Sequence, residues 1–367
     1  MSIETRREIL AIKPYIPGKP IEEVQKEYGL SKVIKLASNE NPLGASAKAM
    51  EAISNHFSKL SIYPDGNCTE LKAELAKNLK IDHDQIIIGN GSDEVLKLIG
   101  EAYLTSDDQV IMADPTFSEY QYVARLMGAA EELVPLKDHK HNLKEMLQRI
   151  TPQTKIIFIC NPNNPTGTIV NQDRLVEFLK AVPSNILVVI DEAYYEYVQA
   201  SDYPQTISLL KDFENIIITR TFSKVHGLAS LRVGYGIAHP KIIANLNRVK
   251  EPFNVNSLAQ VAAIASLRDQ EHLAKSVTVN EQGKLYLYQE LEKLGLEYIP
   301  TEANFIMFNV RRDANTLFEE LLKKGIIIRS GSIFNMPSYI RLTIGTMEEN
   351  ESFIRALKEV LVGENSN

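Results

Sequence analysis

The chain has 367 residues, 44% hydrophobic and 24% charged, with no tryptophan and a formal net charge of -7. That length allows a large core plus a second lobe, and the acidic balance argues against nucleic acid or an anionic membrane surface as the main partner. Two cysteines, Cys68 and Cys160, are too few for a disulfide framework or a metal knuckle and read as free thiols.

The opening "MSIETRREIL" lacks the apolar run of a signal peptide, and no later stretch holds the ~20 apolar residues that span a bilayer. A cytoplasmic protein is expected. "KPYIPGKP" marks a proline-rich arm, residues 1–45, that has no core of its own and is expected to pack on the second lobe or on a partner subunit. Next come the apolar runs "QIIIG" (85–89), "QVIMAD" (109–114), "KIIFIC" (155–160), "NILVVID" (185–191), "NIIITR" (215–220) and "RVGYGIA" (232–238). Most are continuously hydrophobic, as strands covered on both faces are. Helical patterns such as "SDEVLKLIGEAYL" and "NQDRLVEFLKAV" lie between several of them. This alternation predicts an α/β domain with a mostly parallel sheet, residues 46–252, whose ligands gather beyond the carboxyl ends of the strands. After Pro252 a long helical region (about 257–295) leads to "ANFIMFNV", a helix (about 314–323), "GIIIRSG", "YIRLTIG" and a final helix, predicting a smaller α+β lobe, residues 253–367.

Four motifs fall at predicted strand ends. "GNGSDE" (89–94) sets Ser92 and Asp93 at a helix start, where backbone amides can hold a phosphate. It has neither the third glycine of the dinucleotide fingerprint nor the Gly-Lys-Ser/Thr ending of a P-loop, and an ordinary strand–helix turn fits it equally well. "CNPNNPTGTIV" (160–170) puts three asparagines and two prolines in one loop. "VVIDEAYYEY" (188–197) ends an apolar strand on Asp191, whose charge needs a cationic or hydrogen-bonding partner. "ITRTFSKVHGLASLRVGYG" (218–236) frames Lys224 with small and hydroxyl residues and sets Arg232 eight positions later.

A lysine, an aspartate, an asparagine, a tyrosine and a phosphate-ready helix start form the set that pyridoxal 5'-phosphate needs. With "LASNENPLG", "YPDGNCTELKAELA" and "IRLTIGT" in the same order, the chain resembles the fold-type I aminotransferases over nearly its whole length, and within them the histidinol-phosphate aminotransferases. Threonine-phosphate decarboxylases and some aromatic aminotransferases share much of the pattern.

The resemblance implies that Lys224 bonds the cofactor as a Schiff base and serves as acid and base. Asp191 would hold the ring nitrogen, Asn164 and Tyr194 the phenolic oxygen, and Phe117 would stack on the ring. Ser92, Asp93, Thr221, Ser223 and Arg232 would take the phosphate, joined by Tyr63 from a second subunit of a homodimer. Tyr15, Arg329 and Arg341 would bind the substrates. The implied reaction moves an amino group between L-histidinol phosphate and 2-oxoglutarate, in histidine biosynthesis.

Overall fold

The computed structural model describes residues 3–12, 14 and 18–363. After a short strand β1 (Ile34–Lys35), seven strands build one sheet: β2 (Ile86–Gly89), β3 (Gln109–Asp114), β4 (Ala130–Pro135), β5 (Thr154–Cys160), β6 (Leu187–Asp191), β7 (Ile216–Thr221) and β8 (Gly234–Ala238). Their order is β2-β8-β7-β6-β5-β3-β4. Only β8 runs against its neighbours β2 and β7; the other pairings are parallel.

Each face of this sheet carries its own core, which explains the unbroken apolar runs. Ile157, Ile159, Val188, Ile190, Ile216 and Ile218 pack on one side with the helices Thr69–Leu79, Gln172–Ala181 and Ser257–Leu267. Ile156, Phe158, Val189 and Ile217 pack on the other with the helices Ser92–Tyr103, Glu119–Met127 and Pro240–Val249.

The smaller lobe contains β9 (Tyr298–Ile299), β10 (Phe305–Asn309), β11 (Ile326–Ile327), β12 (Arg329–Ser330) and β13 (Tyr339–Thr343). Four of these form an antiparallel sheet in the order β12-β13-β10-β9, while β11 pairs in parallel with β1. Its core joins Leu287, Phe308, Leu317, Leu342 and Phe353 to Ile34 and Leu36 from the N-terminal segment.

One expectation is refined, and one strand was missed. The helical region expected over about 257–295 is two helices, Ser257–Leu267 and Gln270–Lys293, because Asp269 caps the second by accepting from His272 N–H. The first of these packs with Val255 in a core of the large sheet. Strand β4 escaped the pattern because it is an edge strand whose acidic residues face basic partners, Glu131 pairing with Arg125 and Glu132 with Arg149. Among the described residues no helix is long and apolar enough to cross a membrane.

Candidate active site

The parallel strands β5, β6 and β7 deliver residues 161–164, 191–194 and 221–224 to one edge of the sheet. Asp191 closes β6 and turns toward the face that holds Phe158 and Tyr120, while Glu192 turns to the other face, where Arg220 grips it with Nε at 2.9 Å and Nη2 at 2.8 Å. Asp191 is 2% exposed. The Tyr120 hydroxyl donates to its Oδ2 at 2.7 Å, and its Oδ1 is buried without a hydrogen-bond partner. Burial pushes the Asp191 carboxyl up to about 6. A buried carboxylate oxygen in that position calls for an N–H donor, preferably a charged one. Tyr120 is itself locked, stacked on Phe158 at 4.5 Å and edge-on to Phe117 at 5.7 Å.

Beside this acid lies an anion seat. Gly234 on β8 pairs with Gly89 on one side and Thr221 on the other, so the end of β2 and the end of β7 stand two strands apart. The helix starting at Ser92 points its positive end at this place. A Cβ on Gly234 would lie 2.3 Å from Ser92 N, and one on Gly91 would lie 2.5 Å from Arg232 Nη2. Arg232 donates to Asp93 Oδ2 at 3.1 Å, Ser223 Oγ at 3.4 Å and Ala229 O at 3.0 Å. Thr221 Oγ1 accepts from Ser223 N–H at 3.1 Å.

Lys224 follows β7 by three residues and donates from Nζ to the carbonyl of Ser38 at 3.2 Å, with the Tyr194 ring centre 5.7 Å away. Burial, then the nearby Arg341 guanidinium, lower its amine to about 8. Arg341 comes from β13, directly opposite Arg329 on β12. It is buried near the Phe305 and Phe334 rings, at 5.5 and 5.3 Å, and donates to Asn164 Oδ1 at 2.7 Å and Ala37 O at 2.8 Å. With Oδ1 taken by Arg341, the Asn164 amide N–H group is the end left for the site. Tyr194 is buried, and its hydroxyl oxygen accepts from Asn39 Nδ2 at 3.0 Å.

The fold thus gathers Lys224, Asp191, Tyr194, Asn164 and Arg341 in one cluster, and Ser92, Asp93, Thr221, Ser223 and Arg232 in the adjoining seat. Phe117 is half-buried against Tyr120 at the same strand end. Arg329 is half-buried on the strand beside Arg341. Tyr63 is not in the cluster: it is 80% exposed and stacks on Phe253 at 4.8 Å. Tyr15 lies outside the described residues. Sequence reasoning missed Tyr120 and Asn39, because each acts on a partner far along the chain. The closest signal for Tyr120 was its place one helical turn after Phe117.

These residues fit pyridoxal phosphate. The buried Asp191 Oδ1 suits the ring nitrogen, the glycine-lined helix start suits the phosphate, and Lys224 stands beside Tyr194 with its amine made less basic. Relatives point the same way. The family model "Aminotransferase class I and II" matches residues 31–357. A histidinol-phosphate aminotransferase of Moorella thermoacetica is 55% identical over 97% of this chain and 92% of its own. One from Caldicellulosiruptor saccharolyticus is 52% identical over 97% and 99%. The crystal structure of the Sinorhizobium meliloti enzyme, described as a complex with pyridoxal-5'-phosphate, superposes with a TM-score of 0.92 at 26% identity, covering 99% of both chains. On the strength of a match that runs from the N-terminal segment to the last helix, this chain belongs to the class I and II aminotransferases and, within them, to the histidinol-phosphate aminotransferase family.

Proposed function

We propose that the chain is a pyridoxal-phosphate-dependent aminotransferase that exchanges an amino group between L-histidinol phosphate and 2-oxoglutarate in histidine biosynthesis, working in the cytoplasm as a homodimer. The observation that carries the reaction class is Lys224. It is a half-buried amine with its basicity lowered, three residues past the strand that pairs with the one ending in the orphaned Asp191 oxygen. The observation that supports the substrates is the Arg341–Arg329 pair, since a guanidinium fork serves a carboxylate and a phosphate ester alike.

When bound, pyridoxal phosphate supplies the carbonyl carbon that takes the amino group and the ring that accepts the electron pair of the substrate's Cα–H bond. The protein does the rest. Asp191 holds the ring nitrogen protonated, and Tyr120 keeps the carboxylate turned so that Oδ1 faces it. Arg232, Ser223, Thr221 and the Ser92–Asp93 amides fix the phosphate end. With its pKa near 8, Lys224 can take the Cα proton as a neutral amine and return it as an ammonium. Arg341 orients the substrate anion while holding Asn164 in place.

Tyr63 supports the dimer. Its ring and the exposed apolar side chains of Phe57, Leu60, Ile62 and Phe253 offer a surface for a second copy. We infer that Tyr63 completes the phosphate seat of the partner subunit.

The test is a set of half-reactions of the cofactor-loaded enzyme with L-histidinol phosphate, L-glutamate and L-tyrosine, followed by absorbance. The expected ranking puts histidinol phosphate well above tyrosine, with glutamate active. Equal kcat/KM for histidinol phosphate and tyrosine would replace this reading with a broad-specificity aromatic aminotransferase.

A further inference from the structure

Residues 37–39 form a strap across the site. Three consecutive residues each touch a different part of it: Ala37 O accepts from Arg341, Ser38 O accepts from Lys224, and the Asn39 side chain reaches Tyr194. Asn39 is the unusual member. It is 1% exposed and sits at φ 56, a left-handed conformation that few side chains tolerate without strain. Its hydrogen bonds span both lobes: N–H donates to Thr343 Oγ1 at 2.9 Å, its carbonyl accepts from Asn304 Nδ2 at 3.0 Å, and Nδ2 donates to the Tyr194 hydroxyl.

The network also sets the direction of each bond. Because Thr343 Oγ1 accepts from the Asn39 backbone, its hydroxyl hydrogen is available to Asn39 Oδ1, at 3.2 Å. That turns the amide so that Nδ2, a donor only, faces Tyr194. With a donor already directed at its oxygen, Tyr194 sends its own hydrogen the other way, toward the site beside Lys224. Besides Asn39, the groups that act on the Tyr194 hydroxyl are Arg341, Cys160 and Asp191.

We propose that Asn39 is a positioning residue that fixes the hydrogen-bond polarity of Tyr194, making the phenol a donor toward the cofactor's phenolic oxygen. The inference rests on the function proposed above, because it requires Tyr194 to face that oxygen. Its physical content is one of sign. A donor on the phenolic oxygen matters most when no other proton competes for that oxygen, so losing the donor raises the pH at which the nitrogen contributed by Lys224 gives up its proton.

Asn39→Asp tests the polarity while keeping the shape and tolerating the left-handed backbone. An aspartate offers Tyr194 an acceptor, and the phenol then turns away from the site. Asn39→Gly provides a second variant that removes the amide without backbone strain. The readout is the pH titration of the bound cofactor's absorbance in the holoenzyme, with the melting temperature as a check on folding. We expect Asn39→Asp to raise the titration midpoint by about one pH unit, the scale of one hydrogen bond to one protonation state. Tyr194→Phe should raise it similarly, and Asn39→Asp should add nothing in the Tyr194→Phe background. Asn39→Gly should give a smaller rise, since the phenol is then free to choose.

If Tyr194→Phe shifts the midpoint and Asn39→Asp leaves it within 0.2 pH units, as an order-of-magnitude criterion, the polarity proposal is overturned while the role of Tyr194 stands. A full Asn39→Asp shift that persists without the Tyr194 hydroxyl overturns it as well. No shift from Tyr194→Phe removes both the proposal and the reading of Tyr194 beneath it.

Discussion

Lys224 is a cation placed where burial and the Arg341 guanidinium both disfavour its charge. In the cofactor-free protein that cost should be visible as stability. The folded amine titrates near 8, whereas an unfolded lysine titrates near its ordinary 10.5. Between those values the unfolded chain binds more protons, so stability rises with pH across that window, and below pH 8 the full cost is present. Lys224→Met removes the amine. The variant should therefore melt higher than the wild type at pH 7, with the gap closing between pH 8 and 10.5. A gap that does not change with pH would show that the amine is not strained in the fold. Arg341 makes a second prediction at this scale. Arg341→Ala should lose both half-reactions while the cofactor stays bound, since a charged hydrogen bond is worth roughly 1.5–3 kcal/mol and a lost fork costs at least about tenfold in kcat/KM. Wild-type efficiency with both donors would remove Arg341 from the substrate site. Arg329→Ala should weaken histidinol phosphate more than glutamate, because a dianionic phosphate gains more from a second cation.

At the scale of elements, the anion seat depends on a helix start held tight against a strand. Gly91 sits at φ 85, and Arg232 Nη2 lies only 2.5 Å from where its Cβ would stand, so the guanidinium fits only against a glycine there. Gly91→Ala should push Arg232 off the seat and weaken pyridoxal phosphate binding at least about tenfold, and the strain of a side chain at φ 85 should also lower the melting temperature of the cofactor-free protein. Titration of cofactor-free protein by fluorescence or calorimetry measures it, and unchanged affinity would mean that Arg232 does not hold the phosphate. These elements were largely legible beforehand. The continuous apolar runs named β2, β3, β5, β6, β7 and β8, since strands sandwiched by helices are written in one kind of residue. Strand β4 was not, because an edge strand with Glu131 and Glu132 paired to arginines lacks that signature. The site was legible where a motif sat at a strand end, as with Asp191, Asn164 and Lys224. It was illegible where a side chain acts at long range: Tyr120 reaches Asp191 across 71 residues and Asn39 reaches Tyr194 across 155, separations at which no local spacing carries information.

At the scale of the whole molecule, each site draws on both lobes and, in the function proposed here, on a second subunit. Tyr63 is 80% exposed and its ring stacks on Phe253, which leaves its hydroxyl open to a second copy of the chain. Mixing two inactive variants, Lys224→Ala and Tyr63→Ala, should restore activity up to about a quarter of the wild type, because random pairing makes half of the dimers hybrids and each hybrid holds one intact site. Hybrids shown to form, yet inactive, would count against a shared site. The strap of residues 37–39 bears on a different matter, the order in which the protein is made. Its partners Arg341 and Thr343 lie 304 residues downstream. A chain still on the ribosome has all seven strands of the large sheet once Ala238 has emerged, and both faces of that sheet can be covered once the helices Pro240–Val249 and Ser257–Leu267 have followed. Asn39 meets its first small-lobe partner at Asn304, and Ala37 and the Asn39 N–H meet theirs, Arg341 and Thr343, only when the last strand follows. Translation therefore imposes a sequence of events: the scaffold sets first, and the seat of the lysine is completed only as synthesis ends.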